Sequence, residues 1–292
     1  MTKTQSVGHR DNALSVVIPT LGGESLANTI EQMNRGTLVP SEVLICIPEE
    51  DARKVGSLMY PNVRIIKTKC RGQVAQRAIG LQTATSTMVL QMDDDIFLPE
   101  ETLELLFLAL RDAGPGNVVA PVYYLKSINR PSHEFYTGLR GLSDNLVTST
   151  VCGAKWGAGR MGTVTSIGTS YGVDDRYCNS KVSFATEWLP GGCLLSFKED
   201  LVTDNFFPFT GKAFCEDLIH SYLRVKKGIQ HYVIPSARCL IEFAFPESKN
   251  TSVLAQRKAQ RYYVSLIDGS FVRLYFYEKL VSLKRVFRSL LG

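Results

Sequence analysis

Apolar positions between Leu14 and Pro121 follow two alternating rhythms. LSVVIP (14–19), VLICIP (43–48), VRIIK (63–67), MVLQM (88–92) and NVVAP (117–121) are short runs rich in β-branched residues, the composition of buried strands. Between them, ESLANTIEQMNR, GQVAQRAIGLQTA and TLELLFLALRDA space their apolar residues as amphipathic helices do. Continuous apolar strands separated by such helices predict an α/β fold with a mostly parallel central sheet and helices on both faces. In sheets of that kind ligands bind beyond the carboxyl ends of the strands. Four polar features fall on that edge: Pro19-Thr20, Glu49-Glu50-Asp51, the stretch from Lys69 to Arg77, and Asp93-Asp94-Asp95.

The pattern changes after residue 121. From 122 to 186 Gly, Ser and Thr are frequent and periodicity fades, so no long helix is expected there. Loops of that length inside a compact domain usually carry function. FATEWLPGGCLLSF (184–197) resumes the apolar pattern, CEDLIHSYLRVKKG (215–228) reads as a helix ending in a glycine cap, and HYVIP and RCLIEF read as two strands. The tail, FVRLYFYEKLVSLKRVFRSLL, places Phe276, Leu280, Leu283, Val286, Phe287 and Leu290 on one side of a helix, with Arg273, Lys284, Arg285 and Arg288 mostly on the other. Lys279 interrupts the apolar side and Tyr277 falls on the polar one. A basic amphipathic helix of this type suits peripheral membrane contact through 271–290, docking on the protein's own core, or pairing with a second copy in a homo-oligomer.

Composition excludes several classes. The chain has 292 residues, 45% hydrophobic and 21% charged, ordinary for a folded globular protein. Residues 1–12 are polar and expected to form a flexible N-terminus. The apolar run that follows them is too short for a signal or a membrane span, which favours a cytoplasmic protein, peripheral on the inner face of the membrane if the tail binds lipid. Seven cysteines without a CxxC pair and four histidines without HExxH indicate neither a disulfide framework nor a zinc site. The net charge of +5 is modest, and no nucleic-acid partner is expected.

The acidic triplet is the strongest chemical signal. Three adjacent carboxylates at the mouth of a buried strand repel one another and need a cation or hydrogen-bond donors to compensate. Mn²⁺ or Mg²⁺ binds such oxygen ligands and keeps positions open for water and substrate phosphates, which implies a phosphate-bearing substrate. A solvated acidic turn leading into the helix after Pro99 is the competing reading.

The stretch CRGQVAQRAIGLQTATSTMVLQMDDDIF resembles the corresponding part of inverting glycosyltransferases of family 2, which have the Rossmann-like GT-A fold. Gly72, Arg77, Gly80 and the triplet fall at matching spacing, LSVVIPT resembles that family's first strand, and Glu216-Asp217 resembles its later E-D motif. The resemblance implies a GT-A domain over 13–245, with a nucleotide-binding half (13–121) and an acceptor half with long loops (122–245), followed by a C-terminal amphipathic helical segment (246–292). It implies transfer of a sugar from a nucleotide-diphosphate sugar, UDP-sugar favoured, to a hydroxyl of a glycan or lipid-linked acceptor. Asp95 and Asp93 would hold the metal; Pro19, Thr20, Glu49, Arg71, Gly72, Arg77, Asp93, Asp94, Gly191 and Gly192 would bind the donor. Asp217 would be the catalytic base, with Glu216 as the second candidate, and Trp188 would stack on the acceptor. Two departures stand out: Ala78 replaces the Asn that usually follows the Arg, and Glu49-Glu50-Asp51 ends the second strand where the family commonly has an Asp pair. The alternatives are a nucleotide-sugar-related nucleotidyltransferase or a non-catalytic sugar- or nucleotide-binding module. The first would want a basic Gly-rich loop after the first strand, and Thr20 to Glu24 carries no cation. A dehalogenase-type phosphatase would want Thr or Val at Phe97.

Overall fold

The computed structural model describes residues 13–242 and 250–291. The five early runs form strands β1 (Leu14–Pro19), β2 (Glu42–Pro48), β3 (Val63–Thr68), β4 (Met88–Met92) and, after the short β5 (Ile96–Phe97), β6 (Asn117–Leu125). Helices α1 (Ser25–Asn34), α2 (Gln73–Thr83) and α3 (Thr102–Ala113) lie between them. The chain continues through β7 (Arg130–Pro131), α4 (Gly138–Val147), β8 (Phe184–Thr186), β9 (Cys193–Phe197), α5 (Glu216–Lys226), β10 (Gln230–Ile241), α6 (Asn250–Leu266) and α7 (Phe271–Leu291).

One sheet organises the molecule, in the order β3-β2-β1-β4-β9-β6-β10-β5. The ladders β1–β2, β2–β3, β1–β4 and β6–β10 are parallel. Strand alternation divides the core. Val16, Ile18, Val43 and Ile45 face α1 and α3 on one side, while Val17, Leu44, Cys46 and Val89 face α2 on the other. Gly80 explains how closely α2 sits: a Cβ there would lie 2.4 Å from Val17 and 2.5 Å from the Cys46 sulfur. The glycine at this motif position thus serves helix–sheet packing.

Between β4 and β6 the sheet takes in β9, apolar, largely buried and antiparallel to both. Two features differ from the sequence reading. HYVIP and RCLIEF are a single strand, β10, whose register shifts between Ile234 and Arg238; Pro235 lies there and cannot donate to a ladder. The Gly-rich segment contains α4, a helix that periodicity alone did not reveal.

The tail is helical, and its inner side docks on the core. Leu274 joins Cys152, Ile167 and Val264 in a buried cluster, with Tyr277 packed against it, so Tyr277 faces inward and Phe276 and Leu283 are exposed. Residues 1–12, the 245/246 boundary and the side chains of Lys284, Arg285, Val286, Phe287, Arg288 and Leu290 lie outside the described residues. Among the described residues no helix is long and apolar enough to cross a membrane.

Candidate active site

The carboxyl ends of β1, β2 and β4 and the start of α2 open onto one cleft of about 710 Å³. Pro19, Thr20, Arg71, Gly72 and all three aspartates of the triplet line it, and Lys212 reaches it from the loop before α5. A second cleft of about 400 Å³ adjoins it, lined among others by Tyr123, His133, Trp188, Gly192, Glu216 and Asp217. Asp93, Asp95, Gln73 and Ala213 border both. Three of the four features that the sequence placed on one sheet edge converge on the cleft; Glu49, Glu50 and Asp51 stand outside the cleft-lining residues, Glu49 exposed and the other two reaching the edge only through their pairing with Arg71.

The three aspartates have different surroundings. Asp93 accepts from Gln73 Nε2 at 2.8 Å and from the Arg77 guanidinium at 3.0 Å. Asp94 accepts a short hydrogen bond from the Thr20 hydroxyl, and its carbonyl accepts from Thr29. Asp95 is exposed and has no side-chain partner among the described residues; desolvation, then the charges of Asp93 and Asp94, raise its carboxyl above the ordinary range. Asp95 is therefore the carboxylate left free for a cation. No group of three or more metal-type ligands is preassembled among the described residues.

Arg77 is 2% exposed and does not reach the cleft. It clamps Asp93 and, through its other terminal nitrogen at 2.9 Å, Glu216. Burial works against its charge, but Glu216 and Asp93 more than offset that and raise its pKa. Arg71 is at the cleft edge, paired with Asp51 at 2.6 Å and Glu50 at 3.4 Å.

At the second cleft, α5 starts from Cys215, whose φ of +58 is uncommon for a side chain of this kind and turns Glu216 and Asp217 toward the glycine pair. A Cβ on Gly191 would lie 2.7 Å from both carboxylates, and one on Gly192 would lie 3.0 Å from Asp93. The glycines let backbone approach the carboxylates. Gln91 anchors the pair by donating to the Gly191 carbonyl at 2.6 Å. Glu216 is buried and engaged by Arg77, whereas Asp217 is half-buried; desolvation, then Glu216, raise the Asp217 carboxyl well above the ordinary range. Trp188 is mostly buried, with Nε1 donating to the Tyr171 carbonyl and its ring edge-on to His133.

Sequence reasoning missed Gln73, Gln76 and Lys212. Gln76 donates to the carbonyls of Thr20 and Cys46, at 2.8 and 2.7 Å, and so joins the ends of β1 and β2 to α2. Both glutamines lie in the first turns of a helix the sequence did predict, and their spacing from Gly72 was the available signal. Lys212 lies in an irregular loop that carries no pattern.

A mostly parallel sheet with an acidic strand end, an adjoining second cleft and a later carboxylate pair is the architecture of the GT-A fold. The chain belongs to glycosyl transferase family 2, whose profile matches residues 15–161. No curated protein matches the chain. A solved structure of GalNAc-T7 with UDP, GalNAc and Mn2+ matches with a TM-score of 0.56 at 13% identity, covering 81% of this chain. The match spans 44% of that longer chain, and at this identity the likeness is one of fold.

Proposed function

We propose that this chain is a metal-dependent inverting glycosyltransferase. It moves a hexosyl or N-acetylhexosaminyl group from a nucleotide-diphosphate sugar, a UDP-sugar first among them, to a hydroxyl of a glycan or lipid-linked acceptor in cell-surface polysaccharide synthesis. One observation carries the reading: two clefts meet at Asp93 and Asp95, with the Asp95 carboxylate, unpartnered among the described residues, at the junction and the Glu216–Asp217 carboxylate pair on the far side. The larger cleft is of the size that encloses a nucleotide-sized ligand.

Mn²⁺ or Mg²⁺ fits the residues present. Desolvation first, and then repulsion from Asp93 and Asp94, raise Asp95; a divalent cation relieves that repulsion, and one or two carboxylates suffice when substrate phosphates complete the coordination. Asp95, with Asp93 beside it, would hold the ion, and the ion's chemistry is neutralisation of the charge that builds on a leaving diphosphate. The fold neighbour GalNAc-T7 was crystallised with UDP and Mn2+ together, which supports this choice.

The chain's own residues supply the rest. Thr20, Gly72, Arg71 and Lys212 border the space for the diphosphate and nucleoside. Asp217 takes the proton from the acceptor hydroxyl, and a base on the side away from the donor is what a single inverting displacement needs. Trp188 bounds the acceptor space. A cytoplasmic position at the membrane's inner face suits a lipid-linked acceptor.

A thermal-shift series with UDP, GDP and ADP, each with and without Mn²⁺, tests the donor assignment, because ligand that binds only the native state raises Tm by mass action. The expected result is a larger rise with UDP and Mn²⁺ together than with either alone. Equal curves with and without the metal would overturn the metal dependence, and no shift with any nucleotide would overturn the donor site.

A further inference from the structure

Helix α4 presents Leu139, Leu142 and Leu146 at i, i+3 and i+7, a single stripe, yet the stripe faces solvent: Leu139 is 87% exposed, and the buried residues of the helix are Gly141 and Asn145. Ordinary amphipathic helices turn such a stripe toward the core. Helix α7 repeats the arrangement. Its inner side packs through Leu274, while Val272, Phe276 and Leu283 point outward, Val272 at 69% exposure.

These helices are neighbours. The turn Thr148–Cys152 continues directly from α4 and packs on α7, where Arg273 donates to the Thr150 carbonyl at 3.0 Å and Cys152 shares a buried cluster with Leu274. The two helices that carry the apolar faces thus adjoin in one region of the molecule.

The charges on them that lack an ion-pair partner among the described residues have one sign. On α4 and on α7 as far as Leu283 the charged residues are Arg140, Asp144, Arg273, Glu278 and Lys279. Asp144 pairs with Arg160 and Glu278 with Arg261, arginines from outside both helices. Arg140, Arg273 and Lys279 have no carboxylate partner among the described residues; Arg140 lies over Tyr136 and Lys279 over Tyr275. The sequence beyond Leu283 adds Lys284, Arg285 and Arg288 and no acid. Exposed apolar stripes fringed by unpaired cations match an anionic lipid surface, into which leucine and phenylalanine insert while the cations meet headgroups. A two-fold self-interface on the same patch would bring these cations against their own copies, which costs affinity.

From these observations we infer that α4 and α7 together form a two-helix platform that docks the protein on an anionic membrane surface. Ser132 and His133, which line the acceptor cleft, precede α4 by a few residues, so docking through α4 brings that cleft to the lipid headgroups. This orientation rests on the acceptor role proposed above; the docking itself does not.

The test uses the full chain, sedimented with vesicles of phosphatidylcholine plus phosphatidylserine and with phosphatidylcholine alone. Wild type should partition onto the anionic vesicles and lose binding at high salt. The variant L139S/L142S/L146S should lose partition by about tenfold or more, since apolar burial and charge act together there, with Tm and UDP affinity unchanged because these side chains are exposed. Arg140→Glu with Lys279→Glu should give a similar loss on anionic vesicles only. Undiminished vesicle binding by the leucine variant overturns the platform, as does wild-type protein that ignores vesicles and instead forms dimers that the leucine variant abolishes. Vesicle binding read apart from nucleotide binding separates failure of this inference from failure of the transferase reading.

Discussion

Arg77 donates to Glu216 across 2.9 Å and 139 positions of sequence, while its second terminal nitrogen holds Asp93 at 3.0 Å. One buried cation therefore sets the distance between the carboxyl end of β4 and the start of α5. Arg77→Met should destabilise the fold by about 3–5 kcal/mol, the cost of stranding buried charges, read as a fall in Tm. Arg77→Lys restores the charge but not the two-pronged geometry, and should recover only part of the stability. A Met variant with wild-type Tm would show that the clamp is dispensable.

Lys212 is the cleft-lining cation without a carboxylate partner among the described residues, since Arg71 is occupied by Asp51 and Glu50. Its contact should therefore be with phosphate. Lys212→Met is expected to weaken UDP binding by roughly tenfold, a loss typical of one charge-assisted contact, and to leave uridine binding unchanged. Calorimetric titration of both ligands checks it: equal losses for UDP and uridine would place the lysine elsewhere.

Asp95→Asn removes the free anion from a repelling trio. Metal-dependent UDP binding should vanish while Tm without metal holds or rises, because the like-charge repulsion is relieved. A variant that still binds UDP more tightly with Mn²⁺ than without would move the metal site.

The legibility of this chain followed the strength of local pattern. Strands β1, β2 and β4 and helices α1 to α3 could be read because fully buried strands and half-buried helices imprint different periods, whereas β3, at the sheet edge and largely exposed rather than buried, was legible only from its β-branched run. The path of β9 could not. Whether Cys193–Phe197 pairs at an edge or enters between β4 and β6 depends on contacts distant in sequence, and its apolar run is the same in either case. Asp93 to Asp95 were visible as a cluster, but their division of labour was not, because it depends on Thr20, Gln73 and Arg77 approaching from other elements. Arg77 read as a donor contact from its motif position; only the ion pair with Glu216 shows it beneath the cleft. The stripe on α4 was present in the sequence but embedded among glycines and serines that mask a helical period.

Glu42 gives a stability signal independent of the cleft. At the start of β2 it accepts from the Ser15 hydroxyl at 2.6 Å, from the backbone and hydroxyl of Thr85 at 2.7 Å each, and from Arg64 at 3.0 Å. Burial alone would raise its carboxyl, but these donors outweigh burial and hold it below the ordinary value. The folded state therefore favours the ionised form, and the stabilisation is present above the unfolded carboxylate pKa and lost as pH falls through the folded one. Glu42→Gln should cost about 1–3 kcal/mol at neutral pH and flatten the acid limb of a plot of Tm against pH. An unchanged acid limb would contradict it.

Asp217 sits at a position where stability and catalysis oppose each other. Desolvation, then the charge of Glu216, raise its carboxyl, so ionising it costs more in the folded protein than in the unfolded chain. That penalty is absent below the unfolded carboxylate pKa and grows as pH rises toward the folded value, so Asp217→Asn should raise Tm at neutral pH. A general base must be ionised, however, so transfer by wild type should fall as pH drops through the same raised value, with the acid limb of kcat above the usual aspartate range at saturating metal. Asp217→Asn should reduce kcat by about 10²- to 10⁴-fold, the scale of losing a positioned base, with UDP affinity nearly unchanged, the pattern of an interaction made chiefly in the transition state. Glu216 is already committed to Arg77, so Glu216→Gln should act differently: it weakens a buried ion pair, lowers Tm, and costs less in kcat once folded protein is compared. Steady-state kinetics and calorimetry on both variants decide the assignment. Near-normal turnover in Asp217→Asn, or a larger loss in Glu216→Gln at equal folded concentration, would pass the role of base to Glu216.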